Sequence, residues 1–148
     1  MVSKSSQYAL RAGIYIASRH GEEKHIGMKE IAEAIEAPTA FTAKVMQVLT
    51  KNDIISAVRG AKGGFYMEGY QLKQPILNIV QAVEGVDTFT SCGLGLKHCS
   101  NKNPCPIHDS YQDVRTRMLK LFQKTSVKML ADKHNRGMKL IDTISNGK

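Results

Sequence analysis

Residues 38–67, PTAFTAKVMQVLTKNDIISAVRGAKGGFYM, restrict what this chain can fold into more than any other stretch. Thr42, Val45, Met46 and Leu49 fall at i, i+3, i+4 and i+7, so a helix carries them as one inward stripe. The opposite face holds Ala40, Ala43, Lys44 and Gln47, which are small or hydrogen-bonding, with no acid among them. Pro38 suits a first helical turn, where its missing N–H has no bond to lose. After Asn52-Asp53 the pattern changes to Ile54, Ile55 and Val58, residues that favour strands. Gly60, Gly63 and Gly64 then allow positive φ and a tight hairpin, in which Arg59 and Lys62 sit, before Phe65-Tyr66-Met67.

Just upstream, Gly27 to Ile35 reads as a short helix with Ile31 and Ile35 on one face, joined to the Pro38 helix by Glu36-Ala37. Two short helices, a brief turn and a basic hairpin make the order of a winged helix-turn-helix, a shape that reads duplex DNA. The plainer alternative is a helix packed on a two-stranded ribbon whose basic loop is merely solvated.

The remaining segments fit around that unit. From Ser6 to Ser18, Ala9, Ala12, Tyr15 and Ile16 recur at helical spacing, with Ser5 or Ser6 as N-cap. Tyr8, near its start, either packs in the core or sends its hydroxyl to a DNA phosphate. Residues 69–75 read as irregular, and residues 76–83 as a helix ended by Glu84-Gly85. Residues 86–106 lack periodicity, and such long loops are usually functional. From His108 to Lys124, Tyr111, Val114, Met118, Leu121 and Phe122 form a stripe opposite a charged side. Thr125 or Ser126 caps a last short helix, followed by a polar tail from Asp132 to Lys148. The expected class is mainly α with a small β-hairpin wing (α+β). A DNA-reading domain spans 1–85, a cysteine loop 86–107, and a dimerisation helix and tail 108–148. The long helix either folds back on the first helix or pairs with a second copy. Pairing is favoured, because a twofold axis sets two recognition helices about 34 Å apart, one turn of DNA.

Composition narrows the partner. Apolar residues make up 42% of the 148, enough for a core, and the net charge of +8 favours an anionic partner. The charge is uneven: ten Lys and Arg against eight acids give +2 for residues 1–85, and eleven against five give +6 for residues 86–148. Between Thr39 and Gly63, however, Lys44, Lys51, Arg59 and Lys62 face only Asp53. No apolar run reaches membrane-spanning length, and Arg11 interrupts any signal-like block, so a cytoplasmic protein is expected. No nucleotide-binding loop or acid–base constellation appears. His20, His25 and His134 are scattered, and an enzyme is not expected.

These pieces resemble the Rrf-type winged-helix transcription regulators of bacteria, which include the iron–sulfur cluster regulator, the nitric-oxide-sensing repressor and the cysteine-metabolism repressor. The likeness is carried by Tyr8-Ala9-Leu10-Arg11, Ile31-Ala32-Glu33, Leu49-Thr50-Lys51-Asn52, residues 58–65 (VRGAKGGF) and Ala82-Val83-Glu84-Gly85, in the family's order. The resemblance implies a homodimer on a palindromic operator, more often a repressor. It puts the recognition helix in the major groove and the wing in the minor groove. Carried over, Thr39, Ala40, Phe41, Lys44 and Gln47 face bases and phosphates, Arg59 enters the minor groove with Gly60 and Lys62 beside it, and Tyr8 lies near a phosphate. A guanidinium on a thin glycine hairpin suits a narrow groove of negative potential. Where relatives often carry small hydroxyl residues, this chain has Pro38, Ala40 and Ala43, so fewer base-edge hydrogen bonds are available.

The loop holds every cysteine: Cys92, Cys99 and Cys105, spaced x6 and x5. The resemblance puts cluster-binding cysteines in this same loop. Thiolates are the usual ligands of [2Fe–2S] and [4Fe–4S] clusters, and a loop with Gly93 and Gly95 can wrap one. Three cysteines leave one corner open, for which His108 is the best candidate, with His98, Asp109 or Gln7 of a second copy as others. Such a cluster is labile and lost in air, which suits a sensor. Three rivals stand beside it: Cys3His around structural zinc, ligand-free thiols that switch by forming a disulfide, and an iron–sulfur electron carrier.

Overall fold

The computed structural model describes residues 2–138 and 140, so the end of the expected polar tail lies outside the described residues. Helix α1 spans Lys4–Ser18, α2 Met28–Ala34 and α3 Thr39–Lys51. Strands β1 (Ser56–Val58) and β2 (Gly64–Tyr66) pair antiparallel, with Ala57 opposite Phe65. Helices α4 (Gly69–Leu72) and α5 (Leu77–Glu84) follow, then a 3₁₀ turn over Val86–Phe89. Helix α6 covers His108–Lys124 and α7 Val127–Asn135. This is the expected mainly helical chain with one small hairpin.

The stripe expected on α3 is the core of the fold: Thr42, Val45, Met46 and Leu49 are all buried, against Ala9, Ile16, Ile31, Ile35 and Ile79. Burial of such side chains stabilises each by about 1.5–3 kcal/mol. Thr42 tolerates burial because its hydroxyl donates to the Pro38 carbonyl at 2.9 Å.

The hairpin is tied to the helices by a bridge that the sequence did not suggest. Ile26 and Phe65 exchange both backbone hydrogen bonds, at 2.9 and 2.8 Å, which anchors β2 to the segment before α2. Two of the wing glycines are required for different reasons. Gly64 has φ +149°, and a Cβ there would lie 2.6 Å from the Ile26 carbonyl oxygen. Gly63 needs no positive φ; its Cβ would collide with the Val58 carbonyl at 2.1 Å.

Three local expectations are corrected. Helix α1 starts earlier, capped by Ser3, whose hydroxyl accepts from the Ser6 N–H at 3.1 Å. Ser6 is buried and donates to Glu84 instead, so neither Ser5 nor Ser6 is the cap. The irregular 69–75 stretch contains α4, which is too short to show a 3.6-residue period. It is secured by Gln71, 1% exposed, which accepts from the Glu68 N–H at 2.7 Å and donates to the Asp53 carbonyl at 3.1 Å.

The two C-terminal helices behave differently. Helix α7, capped by Ser126, packs along α1 and buries Val127 and Ala131. Asn135 donates to the Ser18 carbonyl at 3.2 Å. Backbone bonds from Ile76 to Thr125 (2.9 Å) and from Val127 to Gln74 (3.0 Å) lock its entry. Helix α6 lies against α5 and the 3₁₀ turn, while α1 is covered by α7. Phe122 is buried on Phe89, ring centroids 5.2 Å apart, while Val114 and Leu121 remain 52% and 58% exposed. The apolar stripe is therefore split: one edge is covered by its own chain and the other is open.

Candidate nucleic-acid interface and thiol site

Helix α3 and the hairpin enclose an open groove of about 650 Å³, lined by Ala43, Lys44, Gln47, Lys51, Arg59 and Phe65 among others. The inward stripe of α3 fixes its rotation, which turns Lys44 and Gln47 outward beside the wing. Arg59 comes from the other wall because β1 ends at Val58 and the glycine turn follows. Thr39 and Ala40 are exposed at the start of α3, and Gly60 and Lys62 are exposed in the hairpin turn. The recorded ion pairs lie elsewhere, joining Arg19 to Glu22 and Glu30, Arg117 to Asp113, and Lys128 to Asp132. The groove is thus cationic and free of acids among its lining residues.

Tyr8 and Phe41 stand apart from it. Their rings meet edge to face with centroids 5.3 Å apart, joining the start of α1 to the start of α3. The Arg11 guanidinium lies 5.5 Å over the Tyr8 ring and also donates to the Ile35 carbonyl at 3.1 Å. Both aromatic rings are half-buried, so each is part packing and part surface. Lys51 also lines the groove, a placement legible in the sequence because it follows Lys44 by seven residues and so shares its helix face.

The second cluster lies at the foot of α6. The sulfurs of Cys92, Cys99 and Cys105 all lie within 4.8 Å of one another, with Cys92 and Cys105 3.6 Å apart. Among the described residues no other group of three His, Cys, Asp or Glu side chains converges in this way. Backbone N–H groups reach the sulfurs: Leu94 to Cys92 and Cys105 to Cys99, each at 3.4 Å. His108, the first residue of α6, places Nδ1 3.2 Å from the Cys99 sulfur. The loop rests on α6 where Gly93 meets the Tyr111 ring (a Cβ there would stand 2.8 Å from it) and where Arg115 donates to the Ser91 carbonyl at 2.5 Å.

The thiols are unequal. Backbone N–H groups of Leu96 and Leu94 draw the Cys92 thiol down to about 7, helped by the neighbouring thiols. Cys105 is pushed up, first by loss of solvent and then by Cys99 and Cys92, against the pull of the Ile107 N–H. Three thiols, with Cys92 drawn down and the His108 imidazole beside Cys99, make a soft donor set suited to iron–sulfur clusters, iron or zinc. The residues fit such a group.

Two short helices joined by a turn and followed by a hairpin, with a cationic groove between α3 and that hairpin, define the winged-helix class. The family model described as "Rrf2: Iron-dependent Transcriptional regulator" matches residues 2–133, and the chain belongs to that family. Members are DNA-binding regulators and not enzymes. An HTH-type transcriptional regulator of Aquifex aeolicus is 29% identical over 130 residues, covering 86% of this chain and 89% of that protein. The IscR regulator of Photorhabdus laumondii is 22% identical, over 88% of this chain and 79% of its own length. Among solved structures, CymR, the global cysteine regulator of B. subtilis, superposes with a TM-score of 0.73 at 19% identity, over 90% of this chain and 97% of that one. The T. potens IscR gives 0.68 at 23% identity, over 93% and 91%. At these identities the structural likeness concerns the fold. No helix among the described residues is long and apolar enough to cross a membrane.

Proposed function

We propose that the chain is a cytoplasmic homodimeric repressor that grips a palindromic operator through α3 and the wing, and whose grip is set by an iron–sulfur cluster held by Cys92, Cys99, Cys105 and His108. The observation that carries this is the convergence of three thiols, with His108 against Cys99, at the start of a helix whose apolar stripe is half open. Residues 1–85 read DNA, residues 86–107 hold the ligand, and α6 pairs with its copy through Val114 and Leu121. Lys44 and Gln47 take the major groove with Thr39 and Ala40 beside them. Arg59 takes the minor groove, flanked by Gly60 and Lys62, and Tyr8 and Phe41 meet the backbone near the start of α3.

When bound, the cluster supplies sensitivity to oxygen, nitric oxide or iron supply. The chain's own residues carry that state outward. At one end of the loop His108 opens α6, so a change at the thiols reaches the pairing helix within one turn. At the other end Glu84 accepts from the Ser3 N–H at 3.0 Å and from the Ser6 hydroxyl, which ties the loop's start to α1. Burial pushes the Glu84 carboxyl up, but these hydrogen bonds hold it below the usual range, so it stays charged. Ligand binding and operator binding are then linked, each altering the other's affinity by the same factor.

A second reading is favoured by one distance. Around a single tetrahedral metal ion with metal–sulfur bonds of about 2.3 Å, thiolates lie roughly 3.8 Å apart. The 3.6 Å between Cys92 and Cys105 is close to that. An absorption spectrum of protein purified without oxygen separates the two. A brown protein whose visible bands vanish in Cys92→Ala supports the cluster; a colourless protein with one zinc per chain replaces it with the ion.

A further inference from the structure

The far side of His108 carries an arrangement that the ligand set alone does not require. Its Nε2 lies 2.8 Å from Oδ1 of Asn101, while Nδ1 faces the Cys99 sulfur at 3.2 Å. A neutral imidazole has one N–H and one lone pair, and the partner of one nitrogen decides which is which. With the Asn101 oxygen turned to Nε2, as the structure has it, the ring carries its proton on Nε2 and leaves the lone pair at Nδ1. That lone pair and the Cys99 sulfur then face one another across 3.2 Å. Asn101 lies in the loop between Cys99 and Cys105, and Asn103, two residues on, anchors that turn by donating to the His98 carbonyl at 3.3 Å. Partners of this kind orient ligating histidines at metal sites, and losing one weakens metal binding about 10- to 100-fold.

We propose that Asn101 is the positioning residue of the thiol site: it fixes the His108 tautomer so that Nδ1, and not Nε2, is the atom offered beside Cys99. The proposal rests on the reading of His108 as the fourth ligand, but its first test does not. In reduced, metal-free protein at mildly alkaline pH, ¹⁵N NMR of the His108 ring should show a protonated Nε2 and a bare Nδ1. Asn101→Ala should give a mixture of tautomers, and Asn101→Asp, which keeps the accepting oxygen, should restore the single form. An unchanged tautomer in Asn101→Ala overturns the proposal, as does a wild-type ring protonated at Nδ1.

The second test uses Co²⁺ titrated into the same proteins. Asn101→Ala should lose about 10- to 100-fold in affinity, and Asn101→Asp should regain most of it. In His108→Ala the Asn101 substitution should add nothing, because its effect passes through the imidazole. A further loss in the double variant would make Asn101 a structural loop residue and refute the positioning role. Should the oxygen-free protein prove colourless, the cluster reading fails while the tautomer and Co²⁺ results still decide this one.

Discussion

Around α3 almost every turn of backbone leans on a buried neighbour; around Cys99 none does. The reading head contains Val45, Met46, Leu49, Ile54 and Ile55, each 5% exposed or less, whereas no residue from Thr90 to Ile107 is buried. The head is held by apolar burial, which is indifferent to what the protein binds. The loop is held by a few hydrogen bonds and a glycine seated on Tyr111, so a ligand that joins its sulfurs becomes a large part of what orders it. A recognition surface needs one fixed geometry, and a sensor needs a segment whose order depends on its cargo. In the proposed function these demands fall on different segments, joined through Glu84 on one side and α6 on the other.

That contrast is exposed to direct tests. The largest effect belongs in the head: Leu49→Ala should cost about 2–5 kcal/mol in denaturant unfolding. Gly64→Ala should cost about 1–3 kcal/mol, because it forces a side chain into an unfavourable φ and against the Ile26 carbonyl. Arg59→Ala should leave stability unchanged yet weaken operator binding by about 1–3 kcal/mol in a titration at fixed salt. Unaltered binding would remove the wing from the recognition surface. Cys99→Ala in metal-free protein should shift unfolding by less than about 0.5 kcal/mol; a loss of 2 kcal/mol or more would show the loop to be structural in its own right.

The smallest effect is one of reactivity. The thiolate form of Cys92 is favoured in the folded chain, so its alkylation by iodoacetamide should rise as pH increases through about 7 and level off above. Cys105, whose thiol is held up, should lag at every pH below that of its own titration. Mass spectrometry of partly alkylated protein reads both. Equal rates would mean that the Leu94 and Leu96 N–H groups do not distinguish the two sulfurs.

The head was largely legible in the sequence because regular structure repeats. Thr42, Val45, Met46 and Leu49 announce a helix and its inward face, and the glycine run announces a hairpin. What escaped notice has no period. The Ile26–Phe65 bridge involves one residue on each side and leaves no alternation to detect. Helix α4 is a single turn. Ser3, Ser5 and Ser6 are equally good caps until Glu84 is seen to occupy Ser6. The stripe on α6 was visible, but burial against the chain itself and burial against a copy both call for apolar residues, so its division between Phe122 and Leu121 was not. In the loop, cysteine spacing nominated the ligands and His108. Asn101 was invisible, because its part depends on a non-local approach that spacing does not encode.

Helix α1 begins at residue 4 but packs most extensively against α7, which ends at residue 135. A nascent chain therefore leaves one side of α1 uncovered when the first eighty-odd residues have emerged, although the helix-turn-helix and wing are then complete in sequence. The face of α1 that α7 covers stays open until residue 135 has been made and the loop and α6 are already outside. If Cys92, Cys99 and Cys105 take up a ligand as proposed, they leave the ribosome before α7 can close on α1, so loading can precede completion of the fold.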